Sequence, residues 1–259
     1  SFEQRAWMLE QRGAIAGLAL YPQNLLASYQ LAISRQKATI SMPQVARARG
    51  DNTGISVSGT GTIGPVDIRL TADRGSSKFS TTRVLPETSA TRTLEGRLRH
   101  KSTGMSADVM VPLSLAGIAI TPRLGLKRTR VKSEGYTEHG QDDLALTVEP
   151  SSMTLKQIMA GSDVTFPAFR LGSVEAGATL RLMMIRNRNG QARLNSSLAE
   201  PETGFMTMTQ FPERETRIGL GLTFSGHDQR LQGHLGVVYS RSGGGGSTRA
   251  LQLATSYSF

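Results

Sequence analysis

The chain has 259 residues, of which 38% are hydrophobic, and its 30 basic residues outnumber its 20 acidic ones. It contains no cysteine, which excludes disulfides and thiolate chemistry. It has no apolar run of about 18 residues, so the sequence predicts no transmembrane helix. A net charge of +10 would suit nucleic acid, but the arginines occur singly along alternating segments. We therefore expect no nucleic-acid partner.

Residues 1–50 differ from the rest of the chain in their apolar pattern. Residues 6–20 and 24–35 have irregular apolar spacing that is compatible with helix. Tyr29, Leu31 and Ile33 alternate and would equally begin a strand. We predict a helical or linker segment over residues 1–50, with a polar connection before the next element.

From residue 54 onward, apolar and polar residues alternate with the period of two that is typical of β-strands. The pattern predicts twelve strands, an even number as in single-chain outer-membrane barrels. They begin near Ile55, Val66, Thr91, Met105, Ile118, Leu144, Leu155, Leu171, Arg193, Arg217 and Leu231, and the last ends at Phe259. Long polar loops (132–142, 199–215, 241–248) are expected at the end away from Phe259, and tight turns (116–117, 187–190) at its own end.

The last strand shows the alternation most clearly. One face is apolar and aromatic-tipped, and the other carries small polar residues. The apolar face consists of Leu251, Leu253, Thr255, Tyr257 and Phe259. A membrane barrel has this pattern because its outer face meets lipid and its inner face meets water. The closing strand of a soluble β-sandwich would also alternate, and a basic sandwich that acts as a binding module is one alternative.

Full charges on the polar faces favour the membrane barrel over the sandwich. The apolar faces are almost free of charge, whereas the polar faces carry ionised side chains. The candidates for the lumen are Asp108, Arg123, Glu175, Arg181, Arg217 and His234. Their arginines predict a net positive, anion-selective lumen, although pairing across the pore would neutralise them.

Three successive segments resemble the middle of autotransporter β-domains. They are residues 118–126 (IAITPRLGL), 134–140 (EGYTEHG) and 144–148 (LALTV). The ending Tyr257-Ser258-Phe259 resembles the terminal signal by which outer-membrane barrels reach their assembly machinery. The resemblance covers about residues 54–259.

The resemblance implies a type V secretion translocator, an all-β transmembrane antiparallel barrel in the outer membrane of a Gram-negative bacterium. Residues 1–50 would be the passenger linker and pore segment, and residues 54–259 the twelve-stranded translocator domain. The implied partners are outer-membrane lipid, the barrel assembly machinery and an N-terminal passenger in the precursor. The assembly signal would be the apolar face of the last strand, and we expect a monomer.

The alternative in the same membrane is a small porin or a barrel hydrolase of the phospholipase or protease type. A hydrolase could use His100 with Ser102, or His139 with Glu138 or Asp142. A triad needs a base oriented beside its nucleophile, and the sequence has no Gly-x-Ser-x-Gly elbow. It also lacks phosphate-cradle and metal-loop spacing. We therefore expect no enzyme, no cofactor and no metal.

Overall fold

The computed structural model describes residues 8–20, 27–42, 46–86, 91–140, 144–172, 174–198, 204–225, 231–243 and 246–257. The first nine strands are β1 (Met8–Leu20), β2 (Ala27–Met42), β3 (Ala46–Ile63), β4 (Val66–Pro86), β5 (Thr91–Met110), β6 (Leu113–Leu115), β7 (Ile118–Ser133), β8 (Tyr136–Thr137) and β9 (Leu146–Val148). The others are β10 (Ser151–Thr165), β11 (Phe169–Leu171), β12 (Val174–Arg188), β13 (Gln191–Leu198), β14 (Gly204–Gln210), β15 (Arg214–Ser225), β16 (Leu231–Ser242) and β17 (Ser247–Tyr257). Within these ranges, no helix is long and apolar enough to cross a membrane.

The long strands form one antiparallel sheet in which each strand pairs with its neighbours in the chain. The order is β1-β2-β3-β4-β5-β7-β10-β12-β15-β16-β17, and the short β6 and β11 pair with β7 and β12. A second, smaller sheet has the order β14-β13-β9-β8 and comes from two connections between the long strands. Neighbour-to-neighbour pairing of this kind is the up-and-down topology of a barrel wall.

The two faces of the large sheet differ because apolar and polar residues alternate along each strand. The apolar face is exposed: Leu124 is 57% exposed, Leu251 74% and Leu253 79%. The opposite face carries charged, hydroxyl and glycine residues and is more buried. Leu94 is the one large side chain that is fully buried among the described residues. A broad exposed apolar surface suits contact with lipid, whereas a soluble monomer would rarely display it.

Several strands are longer than a membrane requires. β4 has 21 residues and β5 has 20, whereas a tilted strand crosses the hydrocarbon core with about 9–11. Along β3, the outward residues change from Ile55 and Val57 to Asp51, Arg49 and Arg47 towards the start of the strand. The sheet therefore continues past its apolar zone on one side, at the end opposite to the C-terminal end of β17.

The helix predicted within residues 1–50 is wrong for the part that the structure describes. β1 and β2 pair in register over their whole length, and β2 pairs with β3. Their apolar spacing looked irregular because the outward side of β1 contains the small Ala14 and Ala16. The predicted boundary at residue 50 falls inside β3. Residues 1–7 lie outside the described part.

The assignment of segments to the twelve predicted strands also needs correction. The segments predicted to begin at Thr91 and Met105 form the single strand β5. The segments at Leu144 and Arg193 belong to the smaller sheet. The other predicted strands occur in the large sheet, and β1 and β2 add to them, which gives eleven long strands in the described residues.

The connections follow the predicted asymmetry with one exception. Ala116 and Gly117 have φ of 50° and 80°, as a two-residue hairpin between β6 and β7 requires. The predicted turn at 187–190 lies at the opposite end, with the long loops, because β12 runs antiparallel to β10 and ends there. Asn189 has a φ of 56°, but β13 leaves the large sheet after it and pairs with β9 and β14.

Candidate functional site

The polar face of the large sheet contains all six residues that the sequence predicted for the lumen. Each one lies between residues that face outward; Asp108, for example, is 4% exposed between outward-facing Ala107 and Val109. The register confirms the common side, because Asp163 pairs with Arg181 on β12, which in turn pairs with Gly219 on β15. The six residues therefore share the face opposite the apolar one, and their position in a lumen stays a prediction.

Arg123 and Asp108 form the most buried ion pair of this face. Arg123 Nη2 lies 3.0 Å from Asp108 Oδ1, and the two side chains are 12% and 6% exposed. Gly125 gives the carboxylate its space, since a Cβ at Gly125 would collide with Asp108 Oδ1. Asp73 has a similar position, because its carboxylate occupies the space next to Gly104. Glycines on neighbouring strands thus let carboxylates lie flat along the sheet.

The other predicted arginines are also paired with carboxylates. Arg181 donates from Nε to Asp163 Oδ1 at 2.7 Å and from Nη2 to Oδ2 at 2.9 Å, a bidentate contact. Arg217 donates from Nε to Glu215 Oε1 at 2.7 Å within the same strand. At these positions carboxylates balance the arginines; the net charge and ion selectivity of the lumen stay predictions. The sequence analysis did not identify Asp163 and Glu215, because their segments lack clean alternation. Spacing along the chain also does not show that the register between β10 and β12 brings Asp163 to Arg181.

Glu175 and His234 lie on the same face near the opposite end of the sheet. Glu175 pairs in register with Ser225 of β15. The His234 ring fills the space above a glycine, because a Cβ at Gly221 would lie 2.7 Å from its Cε1 atom. Both border a depression of about 360 Å³. The arrangement shows small residues making room for larger polar ones.

The segment after β7 returns to the edge of β5 and turns two side chains onto the polar face. His139 exchanges two backbone hydrogen bonds with Glu95, at 2.7 and 3.1 Å. The Tyr136 ring lies against Gly96, where a Cβ would come within 2.7 Å of Tyr136 Cε2. This segment contains the Glu-Gly-Tyr-Thr-Glu-His-Gly sequence of residues 134–140. The sequence placed it in a loop and gave no indication of its contacts.

Glu138 forms the strongest polar contact of this segment. Its side chain is 4% exposed and accepts two hydrogen bonds from Arg83, including Nη2 to Oε2 at 2.6 Å. The same carboxylate accepts the Leu146 N–H at 3.1 Å, and Arg83 Nη2 also donates to the Leu144 carbonyl at 2.7 Å. Arg83 therefore joins β4 to both ends of the connection between β8 and β9.

Two ionisable groups of the segment have shifted pKa values. Burial raises the pKa of Tyr136 above its usual value, and the neighbouring Glu138 carboxylate raises it further. A hydrogen bond from Lys101 Nζ, 2.7 Å long, lowers the pKa of Glu134. Tyr136 is therefore neutral and Glu134 ionised at neutral pH.

The described residues show no catalytic arrangement around the histidines that the sequence singled out. His100 Nδ1 is buried without a hydrogen-bond partner, and its ring meets Phe79 edge-on at 6.2 Å between centroids. No hydrogen bond joins His100 to Ser102 within the described ranges. The same ranges contain no group of three or more His, Cys, Asp or Glu residues that could hold a metal ion.

The up-and-down sheet, its exposed apolar face and its ion-paired polar face together define a transmembrane β-barrel. The family comparison is specific: the model of the autotransporter beta-domain matches residues 9–252. The chain therefore belongs to the autotransporter β-domain family and is an outer-membrane translocator domain. The match also begins at β1, in agreement with the place of β1 and β2 in the sheet. No curated protein matches the sequence.

Solved structures of translocator domains share the fold. The translocator domain of the autotransporter NalP from Neisseria meningitidis is 17% identical with a TM-score of 0.76, over 98% of this chain and 81% of that one. The beta domain of the Bordetella autotransporter BrkA is 13% identical with a TM-score of 0.65, over 99% and 94%. The transport unit of AIDA-I from Escherichia coli is 16% identical with a TM-score of 0.52, over 98% and 82%. The predicted all-β barrel class is confirmed.

The predicted assembly signal is described only in part. Leu251 and Leu253 lie on the exposed apolar face, and Thr255 is exposed beside them. Tyr257 pairs through its backbone with Leu231, and Phe259 lies outside the described residues. Their role in assembly stays a prediction.

Proposed function

We propose that the polar face lines a water-filled lumen through which this domain exports an N-terminal passenger, and that the domain has no catalytic activity of its own. The pairing of the inward charges carries the proposal. An exported chain of varied sequence passes most easily over a wall whose charges are already satisfied. The pairs Arg123–Asp108 and Arg181–Asp163 leave little net charge on that wall to hold a moving segment.

The number of strands that a closed barrel needs bears on where the passenger linker lies. β1 and β17 are separated by an even number of antiparallel steps, so they run in the same direction. A fully antiparallel barrel then needs an odd number of further strands between them. One further strand outside the described residues would bring the total to twelve. The passenger linker then does not include β1 and β2, which belong to the large sheet.

The remaining partners follow from the outward surface. Outer-membrane lipid covers the exposed apolar face, and the last strand, with Leu251, Leu253, Thr255, Tyr257 and Phe259, is the signal for the barrel assembly machinery. The described outward face is apolar and suited to lipid across the zone that the membrane would cover, so we propose a monomer. Crosslinking in native membranes would contradict this if it gave a specific dimer.

A display experiment tests export. An epitope-tagged passenger is fused through the natural upstream sequence, and its digestion by a protease is measured on intact cells. We expect the tag to be digested with the full domain. Deleting β16 and β17 should abolish surface exposure, because the sheet then loses its closing edge. A deletion of residues 191–198 in the smaller sheet is the matched control, since it leaves the eleven long strands intact. Equal exposure with all three proteins would overturn the proposal.

A further inference from the structure

A belt of basic residues follows the outward apolar zone around the sheet. On each long strand, the outward side chains change from apolar to charged towards the end with the long loops. The first outward charged residue is Arg or Lys on every long strand except β3, where it is Asp51. The belt consists of Arg12, Arg35, Arg74, Lys101, Arg128, Lys156, Arg186, Arg214, Arg241 and Arg249. Random placement of charges on a solvated rim would not put one sign at the same level on neighbouring strands.

Three cations lie side by side at one point of this rim. Lys156 is the register partner of Arg128 on β7 and of Arg188 on β12. Neighbouring strands are about 4.8 Å apart, and like charges placed directly opposite each other destabilise a sheet. All three side chains are exposed on the same face. An arrangement of this kind is stable when an anion lies between the cations.

The chain supplies no such anion in its described part. Three other belt residues have carboxylate partners in the described ranges: Arg35 with Asp51 at 3.9 Å, Lys101 with Glu134 at 2.7 Å and Arg186 with Glu213 at 3.1 Å. Within the described ranges, no ion pair or hydrogen bond to a carboxylate involves Arg128, Lys156 or Arg188. The inward Arg123, Arg181 and Arg217, in contrast, each have a carboxylate partner. The described part of the chain therefore leaves the three cations without a counter-charge, which an anion from another molecule would supply.

The surface next to the cations identifies the class of that molecule. A groove of about 490 Å³ is bordered by Arg128, Lys156 and Arg188 and has an apolar floor. The floor includes Leu70, Met105 and Leu126, which are 59%, 71% and 60% exposed. The ligand must thus join an anionic group to an apolar body. Nucleic acid and inorganic phosphate lack the apolar part, and a fatty acid offers one weak charge to three cations.

We propose that Arg128, Lys156 and Arg188 bind the phosphate of a phosphorylated outer-leaflet lipid, whose acyl chains lie over Leu70, Met105 and Leu126. A phosphate monoester carries up to two charges and three acceptor oxygens, which match two guanidinium groups and an ammonium group. The site is at the level where the apolar zone ends, which is the level of lipid headgroups. Long loops mark this side as the outer one. The proposal rests on the outer-membrane location and is independent of passenger export.

Binding of defined lipids to the refolded full chain tests the proposal. The probes are a bisphosphorylated lipid A and its dephosphorylated form, titrated in zwitterionic micelles and followed by native mass spectrometry. Each cation that is removed near an anionic lipid should weaken binding about fivefold, so Arg128→Gln, Lys156→Gln and Arg188→Gln together should weaken it roughly 100-fold. The dephosphorylated lipid should bind no better to the wild type than to this variant.

A matched variant removes the same charge from another part of the outward surface. Arg47→Gln, Arg49→Gln and Arg97→Gln together lie farther from the apolar zone, and this variant should bind the phosphorylated lipid within about threefold of the wild type. Heat-modifiable mobility on gels checks that both triple variants are folded. If the first is not, Lys156→Gln alone should still weaken binding about fivefold. Equal loss in both triple variants, equal binding of both lipids, or full competition by inorganic phosphate would overturn the proposal.

Discussion

Replacing Glu138 by glutamine should release the segment that Arg83 holds against the polar face. The carboxylate is 4% exposed and accepts two hydrogen bonds from Arg83 and one from the Leu146 amide. Removing one partner of a buried ion pair leaves the other charge uncompensated and costs about 3–5 kcal/mol. Arg83 is 26% exposed and water can reach it, so we expect the lower limit, about 3 kcal/mol. This corresponds to roughly a 150-fold larger opening constant.

Hydrogen exchange of the Leu146 and Glu138 amides measures this opening. The Glu138 amide donates to the Leu146 carbonyl at 2.8 Å, and the Leu146 amide donates to the Glu138 carboxylate at 3.1 Å. Their exchange in the Glu138→Gln protein should be roughly 150-fold faster than in the wild type, because exchange follows the population of the open form. Amides in the middle of β15 should keep their rates.

Glu134→Gln is the matched control in the same segment. It breaks the Lys101–Glu134 pair, whose side chains are 61% and 45% exposed. A solvent-exposed pair contributes little to stability, so exchange at Leu146 should change far less than in the Glu138→Gln protein. If Glu138→Gln and Glu134→Gln changed the Leu146 rate equally, the buried pair would not be what holds the segment.

Three further outcomes are expected. The pKa of Tyr136 is raised, so the folded protein favours its neutral form, and the binding of residues 134–140 to the polar face should be constant below about pH 10 and weaken above it. Tyr136→Phe should remove this pH dependence from the hydrogen exchange of the segment's amides. Gly125→Ala places a methyl group against the Asp108 carboxylate and should lower the free energy of unfolding, measured in urea, by about 2 kcal/mol. Gly233→Ala has open space around its Cβ and should not lower it. Equal urea midpoints for the two variants would contradict the crowding at Gly125. Deleting Phe259 should reduce the yield of membrane assembly more than the stability of barrel already assembled, and an unchanged yield would remove the support for the assembly signal.

Strand alternation made the two faces of the sheet predictable. Because side chains of a strand point to opposite sides in turn, the spacing alone put Leu251 and Leu253 on the lipid side and Asp108 and Arg181 on the other. The same rule failed for β1, where small alanines replace large apolar residues. It also counted the segment near Leu144 as a barrel strand, because alternation cannot tell which sheet a strand joins.

The sequence by itself determined the fold class, the family and the side of the sheet on which each ionised residue lies, since these depend on local periodicity and short motifs. Tertiary structure decided what those residues meet. The register between β10 and β12 brings Asp163 to Arg181 and sets Lys156 between Arg128 and Arg188. The return of the chain to β5 brings Glu138 to Arg83, 55 residues away. Contacts of this kind depend on which strands become neighbours and with what offset, and local spacing does not encode either.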